Sequence, residues 1–174
     1  MLRGVCLHMA SRGYVVSAVA RSPLGLADLV MEGAAGRVVQ LVVDYRDQDL
    51  FARALRSAVS SYGAFSLAVC WVHEDAPHAM DQVAEVIDDG HPGRRLIHVV
   101  GCERHDPVED VQTTRLRQEH PGLAIRRVVL GFVVEDGRSR WLTHDEISTG
   151  VQRAIDCRAE EAAVGVVRPW ELRP

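Results

Sequence analysis

The sequence predicts an α/β fold built on a doubly wound parallel sheet, and three observations carry that prediction. Short apolar runs alternate with amphipathic helical stretches along the chain. The run Val38 to Val43 is nearly unbroken, as a strand covered on both faces must be. Polar residues gather just past the predicted strands, at Arg21-Ser22, Asp44-Tyr45, Trp71-Val72-His73 and Gly101-Cys102-Glu103. Ligands of such sheets bind outside the carboxyl ends of the strands, which makes these residues the candidate site.

The elements follow in order. Leu2, Val5, Cys6 and Met9 form a helical stripe that stops at Gly13, and a strand runs from Tyr14 to Ala20. This pattern is the second half of a β-α-β dinucleotide unit, in which a strand and a glycine turn would come before Met1. A ribose-reading residue lies about 20 positions beyond that turn, which is where Arg21 stands. A loop and short helix span Leu24 to Gly36. After the strand Val38 to Val43, Asp47 caps a helix with Leu50, Phe51, Ala54, Leu55, Ala58, Val59 and Tyr62 on its apolar face, closed by Gly63. A strand is expected from Phe65 to Val72. Pro77 then opens a helix to about Asp88, with Met80, Val83, Ala84 and Ile87 inward.

Beyond the turn Gly90-His91-Pro92-Gly93, a strand is expected over Leu96 to Val100 and a polar helix over Asp110 to His120. Ala124 to Val134 reads as the longest strand. Glu135-Asp136-Gly137 turns it into a short partner, Ser139 to Leu142. Thr143 and Glu146 have capping-box spacing and open the last helix, to about Arg158. The expected organisation is one domain, 1–158, with a tail at 159–174 that is either an ordered extension or a frayed end. In the doubly wound order the strand expected ahead of Met1 is central, and its loss would bare strand edges and open the core. A misplaced start or a truncated gene product is the expectation that follows, with a rearranged sheet or a gap-filling dimer as alternatives.

Composition excludes several classes. The 174 residues suit one domain with a real core, and a net charge of −4 gives no support to nucleic-acid or anionic-membrane binding. All 20 basic residues are arginine, so no Schiff base, P-loop lysine or lysine-assisted tyrosine can operate in this chain. Cys6, Cys70, Cys102 and Cys157 are widely spaced and form no C-x-x-C pair, which fits a reducing cytoplasm. His73, His78, His98 and His105, with Cys102 and Glu103, match no zinc spacing, so no metal is expected. Cys102 beside His105 or His98 is a nucleophile–base arrangement, with a half-buried thiol near surface histidines as its plain alternative.

Taken together, Met1-Leu2-Arg3-Gly4-Val5, Ala20-Arg21-Ser22, Val43-Asp44-Tyr45 and Ala68-Val69-Cys70-Trp71-Val72-His73 resemble an atypical short-chain dehydrogenase/reductase. Val129-Leu130-Gly131-Phe132 and Ser139-Arg140-Trp141-Leu142-Thr143 resemble the end of the same small bacterial proteins. The resemblance implies a Rossmann-like sheet, N-terminally incomplete, and a cytoplasmic NAD(P)-binding protein. It implies that Arg21 and Ser22 lie beside the adenosine ribose, and an Arg there favours NADP over NAD through two parallel bonds to a 2′-phosphate. Asp44 would contact the adenine amino group, Tyr45 would flank the ring, and Trp71, Val72 and His73 would run past the adenosine. Gly131-Phe132 would lie beside the nicotinamide end.

The chain departs from that pattern in its chemistry. The Tyr-x-x-x-Lys pair of working reductases is absent, since the tyrosines are Tyr14, Tyr45 and Tyr62 and there is no lysine. The strand where a catalytic serine is usual ends in Gly101-Cys102. The expected function is therefore cofactor sensing or atypical oxidoreductase chemistry, with a homo-oligomer possible. The alternative is a protein-interaction module that has lost nucleotide binding.

Overall fold

The structure, a computed structural model, describes residues 1–33, 36–73, 75–101, 110–157 and 159–174. The chain runs α1 (Arg3–Ser11), β1 (Val16–Ala20), α2 (Pro23–Glu32), β2 (Val38–Val42), α3 (Gln48–Tyr62), β3 (Leu67–Cys70), α4 (Pro77–Ile87) and β4 (Arg95–Gly101). It continues with α5 (Val111–Glu119), β5 (Ala124–Leu130), β6 (Phe132–Glu135), β7 (Arg138–Trp141), α6 (His144–Asp156) and β8 (Glu161–Val164). A 3-10 turn, Trp170–Leu172, follows.

The parallel strands form two sheets rather than one. β1 pairs with β2, from Val16 opposite Val38 to Ala20 opposite Val42. β3, β4, β5 and β8 form a second parallel sheet in that order. Among the described residues no strand pairing joins the two, so β1 has only β2 as a neighbour and β3 only β4. β3 spans Leu67–Cys70 rather than the expected Phe65 to Val72.

Helices hold the two sheets together from both faces. On one face Phe51 and Leu55 of α3 and Met80, Ala84 and Ile87 of α4 pack with Leu96 and Ile125; Leu41 and Val43 join from the first sheet, and Ala68 and Cys70 from the second. On the other face Val5 and Met9 of α1 and Ile147, Val151 and Ile155 of α6 cover Ile97, Val99 and Val128. Val16 of β1 and Leu67 and Val69 of β3 lean on that same cluster. Neighbours along β4 thus face opposite ways, the period-two pattern of a sheet covered on both sides.

The expected strand Ala124 to Val134 breaks at Gly131. A Cβ on Gly131 would lie 2.1 Å from the Val166 carbonyl oxygen, so two backbones cross there. Phe132 and Val166 exchange N–H···O bonds of 2.9 and 2.7 Å. The chain then leaves the parallel sheet as β6, antiparallel to β7. The segment after Arg158 is ordered at Glu161–Val164, which forms the outer strand β8 on β5. The capping box at Thr143 is present, with Glu146 bonded to the Thr143 N–H at 2.8 Å and its own N–H donating to Thr143 Oγ1 at 3.2 Å. No helix among the described residues is long and apolar enough to cross a membrane.

Candidate site at the carboxyl ends of the strands

Arg21 is the first residue past β1, and about two thirds of its side chain is exposed. Ser22, next in line, caps α2 by accepting the Gly25 N–H at 3.1 Å, and Pro23 starts the helix at a position that needs no N–H donor. That cap uses one lone pair of the Ser22 hydroxyl and leaves its proton free to donate.

Across the parallel pair, Asp44 follows β2, and Arg21 Nη1 stands 4.0 Å from Asp44 Oδ2. Asp44 is also gripped from within its own turn. The Arg46 N–H donates to Oδ1 at 3.0 Å, Arg46 Nε to Oδ1 at 3.1 Å, and Arg46 Nη2 to Oδ2 at 2.7 Å. These hydrogen bonds from the Arg46 side chain, then from its backbone N–H, hold the Asp44 carboxyl down to about 2, and Arg21 adds a smaller push. Asp47 ends the turn by capping α3 through the Leu50 N–H at 3.0 Å. Arg21 and Asp44 rim an open cavity of about 460 Å³ whose walls are Val42, Val43, Leu50 and Ala54. It combines an apolar floor with one cation and one anion.

The other predicted residues are less uniform. Tyr45 packs against the α3–α4 cluster rather than standing free. Trp71 leans on the α1–α6 cluster, and its ring meets His73 edge-on at 4.5 Å between centroids. Val72 packs to the α3–α4 side, and His73 is exposed. No hydrogen bond or ion pair among the described residues joins Trp71 or His73 to Arg21 or Asp44. Among the described residues an ion pair from Arg46 links the strand ends of the two sheets, with Nη1 3.7 Å from Asp75 Oδ2. Sequence reasoning missed Arg46. Its only signal was an arginine two residues past the strand-end aspartate, which looks like any solvated turn residue.

The remaining chemistry is buried. His98, in the middle of β4, has Nδ1 at 2.7 Å from Thr113 Oγ1. The Thr113 hydroxyl donates in turn to Asp110 Oδ2, so its lone pairs are left to accept from the His98 Nδ1–H. Burial, more than any charge, pushes the His98 imidazole below its ordinary value; Asp110 opposes the shift and Arg127 adds to it. Burial also pushes Cys70 up to about 12 and raises Cys6, so both thiols are protonated and inert at neutral pH. Cys102, Glu103 and His105 lie outside the described residues. No group of three or more His, Cys, Asp or Glu that could hold a metal occurs among the described residues. Gly131 and the fully buried Phe132 form the backbone crossing at the end of β5.

Parallel sheets covered by helices on both faces in this element order have counterparts among solved structures. A β-ketoacyl-[ACP] reductase from Bacteroides thetaiotaomicron superposes with a TM-score of 0.68 over 98% of this chain and 93% of its own, at 13% identity. A short-chain dehydrogenase/reductase from Serratia marcescens gives 0.71 over 94% and 90%, at 16% identity. The fold is that of the short-chain dehydrogenases/reductases. A short-chain dehydrogenase from Bacillus anthracis aligns equally well, with a TM-score of 0.67 over 94% of this chain and 90% of its own, at 12% identity. No family model matches the sequence, and no curated protein is similar to it. Arg21 and Asp44 follow the two strands of the first sheet, and Trp71 follows β3 of the second. The fold does not bring the usual catalytic pair, since the chain has no lysine.

Proposed function

We propose that this protein binds a nicotinamide dinucleotide, NADP in preference to NAD, with the adenosine end over the carboxyl ends of β1, β2 and β3. The observation that carries this reading is the convergence of Arg21 and Asp44 at adjacent strand ends, 4.0 Å apart, on the rim of one cavity. The residues fit the group. Arg21 is exposed and donates no hydrogen bond within the described structure, so its fork is open to a 2′-phosphate. The Ser22 proton can donate to the same phosphate, and Asp44, held ionised, can accept from the adenine amino group. The first turn of α1 carries neither an acidic residue nor a side-chain cap, which suits the approach of an anion to that helix end.

A bound dinucleotide would supply hydride chemistry. This chain's residues would supply adenosine recognition, without a tyrosine–lysine pair to move a proton. The function proposed is therefore cofactor sensing or an oxidoreductase of atypical acid chemistry, in the cytoplasm. A second reading is favoured by one observation: among the described residues β1 and β3 each keep an edge without a strand neighbour, and such edges accept partner strands. On that reading the protein is an interaction module without nucleotide binding.

Thermal unfolding separates the two. NADPH at 100 times its dissociation constant stabilises a one-site binder by about 2.7 kcal/mol. Wild type should show such a shift with NADPH and a smaller one with NADH at equal concentration. Arg21→Asp should abolish the difference, and a wild type indifferent to both nucleotides would favour the interaction module.

A further inference from the structure

Arg46 belongs to none of the roles assigned above, yet it is the most engaged cation at the strand ends. Its Nε and Nη2 edge is committed to Asp44, and its remaining nitrogen, Nη1, faces Asp75 from 3.7 Å. Asp44 Oδ2 is shared, with Arg46 Nη2 at 2.7 Å and Arg21 Nη1 at 4.0 Å. Without Arg46, the only charge left next to the Arg21 guanidinium in this turn would be an ionised carboxylate. That carboxylate would compete with a phosphate for Arg21 and repel the phosphate directly. A close anionic neighbour is the usual means of turning a nucleotide site against a 2′-phosphate.

We propose that Arg46 sets the preference of this site for a 2′-phosphate by charge-pairing the Asp44 carboxylate and holding it short of a hydrogen bond with Arg21, at 4.0 Å. Arg46 is a positioning residue here, acting through Asp44 rather than on the nucleotide. The bidentate grip fixes the carboxylate, and Arg21 stays free to fork a phosphate. Asp75, on the β3 side, adds a weak second anchor that keeps the Arg46 plane in place. The inference rests on the proposed adenosine site and makes a narrower claim about it.

The test uses adenosine 2′-monophosphate and adenosine as probes, because these small ligands ask only about the strand-end residues. Their dissociation constants are measured by NMR titration on the full chain and on Arg46→Gln, Asp44→Asn and the double variant. Wild type should favour the 2′-phosphate, and Arg46→Gln should cut that preference by about fivefold, in line with one exposed ion pair. Adding Asp44→Asn to Arg46→Gln should restore most of it, because the uncovered carboxylate is gone. Arg46→Lys keeps the charge without the bidentate grip and should fall between wild type and Arg46→Gln, which separates lost function from lost folding.

Wild type that binds neither probe overturns the adenosine site itself. Wild type with a clear preference that Arg46→Gln leaves unchanged overturns only the role of Arg46. So does a double variant no better than Arg46→Gln.

Discussion

His98 is neutral because it is buried, and that has a consequence for acid stability. A folded-state value below the ordinary 6.5 means the unfolded chain binds the proton more readily, so stability falls as pH drops through and below 6.5. His98→Gln keeps a hydrogen-bonding side chain beside Thr113 and removes the titration. Chemical unfolding between pH 7.5 and 5.5 should show stability declining in wild type and a flatter profile in His98→Gln; parallel profiles would contradict this role. Asp44 behaves in the same sense over a lower pH range. Its carboxyl is held down to about 2, so the contribution of the Arg46 clamp is complete above the ordinary carboxylate range and is lost only as pH falls toward 2. That Arg21, Ser22 and Asp44 stand just past strands was legible in the sequence, because strand ends in parallel sheets are predictable places. Arg46 was not, because nothing in a turn sequence tells a clamping arginine from a solvated one.

The packing of α6 on β8 depends on one small residue. A Cβ on Gly150 would lie 2.4 Å from Val164 Cγ1 and 2.5 Å from its Cγ2. Alanine in a helix interior is ordinarily better than glycine by about 1 kcal/mol. Gly150→Ala should nonetheless destabilise the protein by about 1–3 kcal/mol, because the clash falls on a stiff β-branched neighbour. Val164→Ala in the same chain should recover part of the loss. A stabilised Gly150→Ala in denaturant unfolding would contradict the contact. β8 was hard to foresee for a related reason: Glu161-Ala162-Ala163-Val164 is short and weakly apolar, and it becomes a strand only because β5 offers an open edge. The break between β5 and β6 was equally hidden. The run Val128 to Val134 is β-forming on either side of Gly131, and the close approach of Val166 makes that glycine the point of departure.

Across the molecule, hydrogen bonding and packing divide differently. Among the described residues strand pairing stops between β1 and β3, while the apolar clusters on both faces continue across. The alternation of strands and helices was enough to predict the fold class, since each helix carries its apolar stripe at helical spacing and each strand its near-continuous run. The division of the strands into two sheets was not itself predicted; bared strand edges, an opened core and, as an alternative, a rearranged sheet were expected. The candidate site spans this division. Arg21 and Asp44 belong to the first sheet, Trp71, His73 and Asp75 to the second, and Arg46 ties them together. A nucleotide lying over all three strand ends would therefore tie the sheets together as well. That makes hydrogen exchange a sensitive reporter, because local opening is slowed wherever a ligand bridges separately paired units.

The decisive measurement is amide hydrogen exchange of the full chain with and without saturating NADPH. The adenosine-binding account predicts added protection at Arg21, Ser22, Asp44 to Arg46 and Trp71 to His73, with slower exchange throughout β1. Unchanged exchange at these strand ends, or protection confined to other regions, would contradict it.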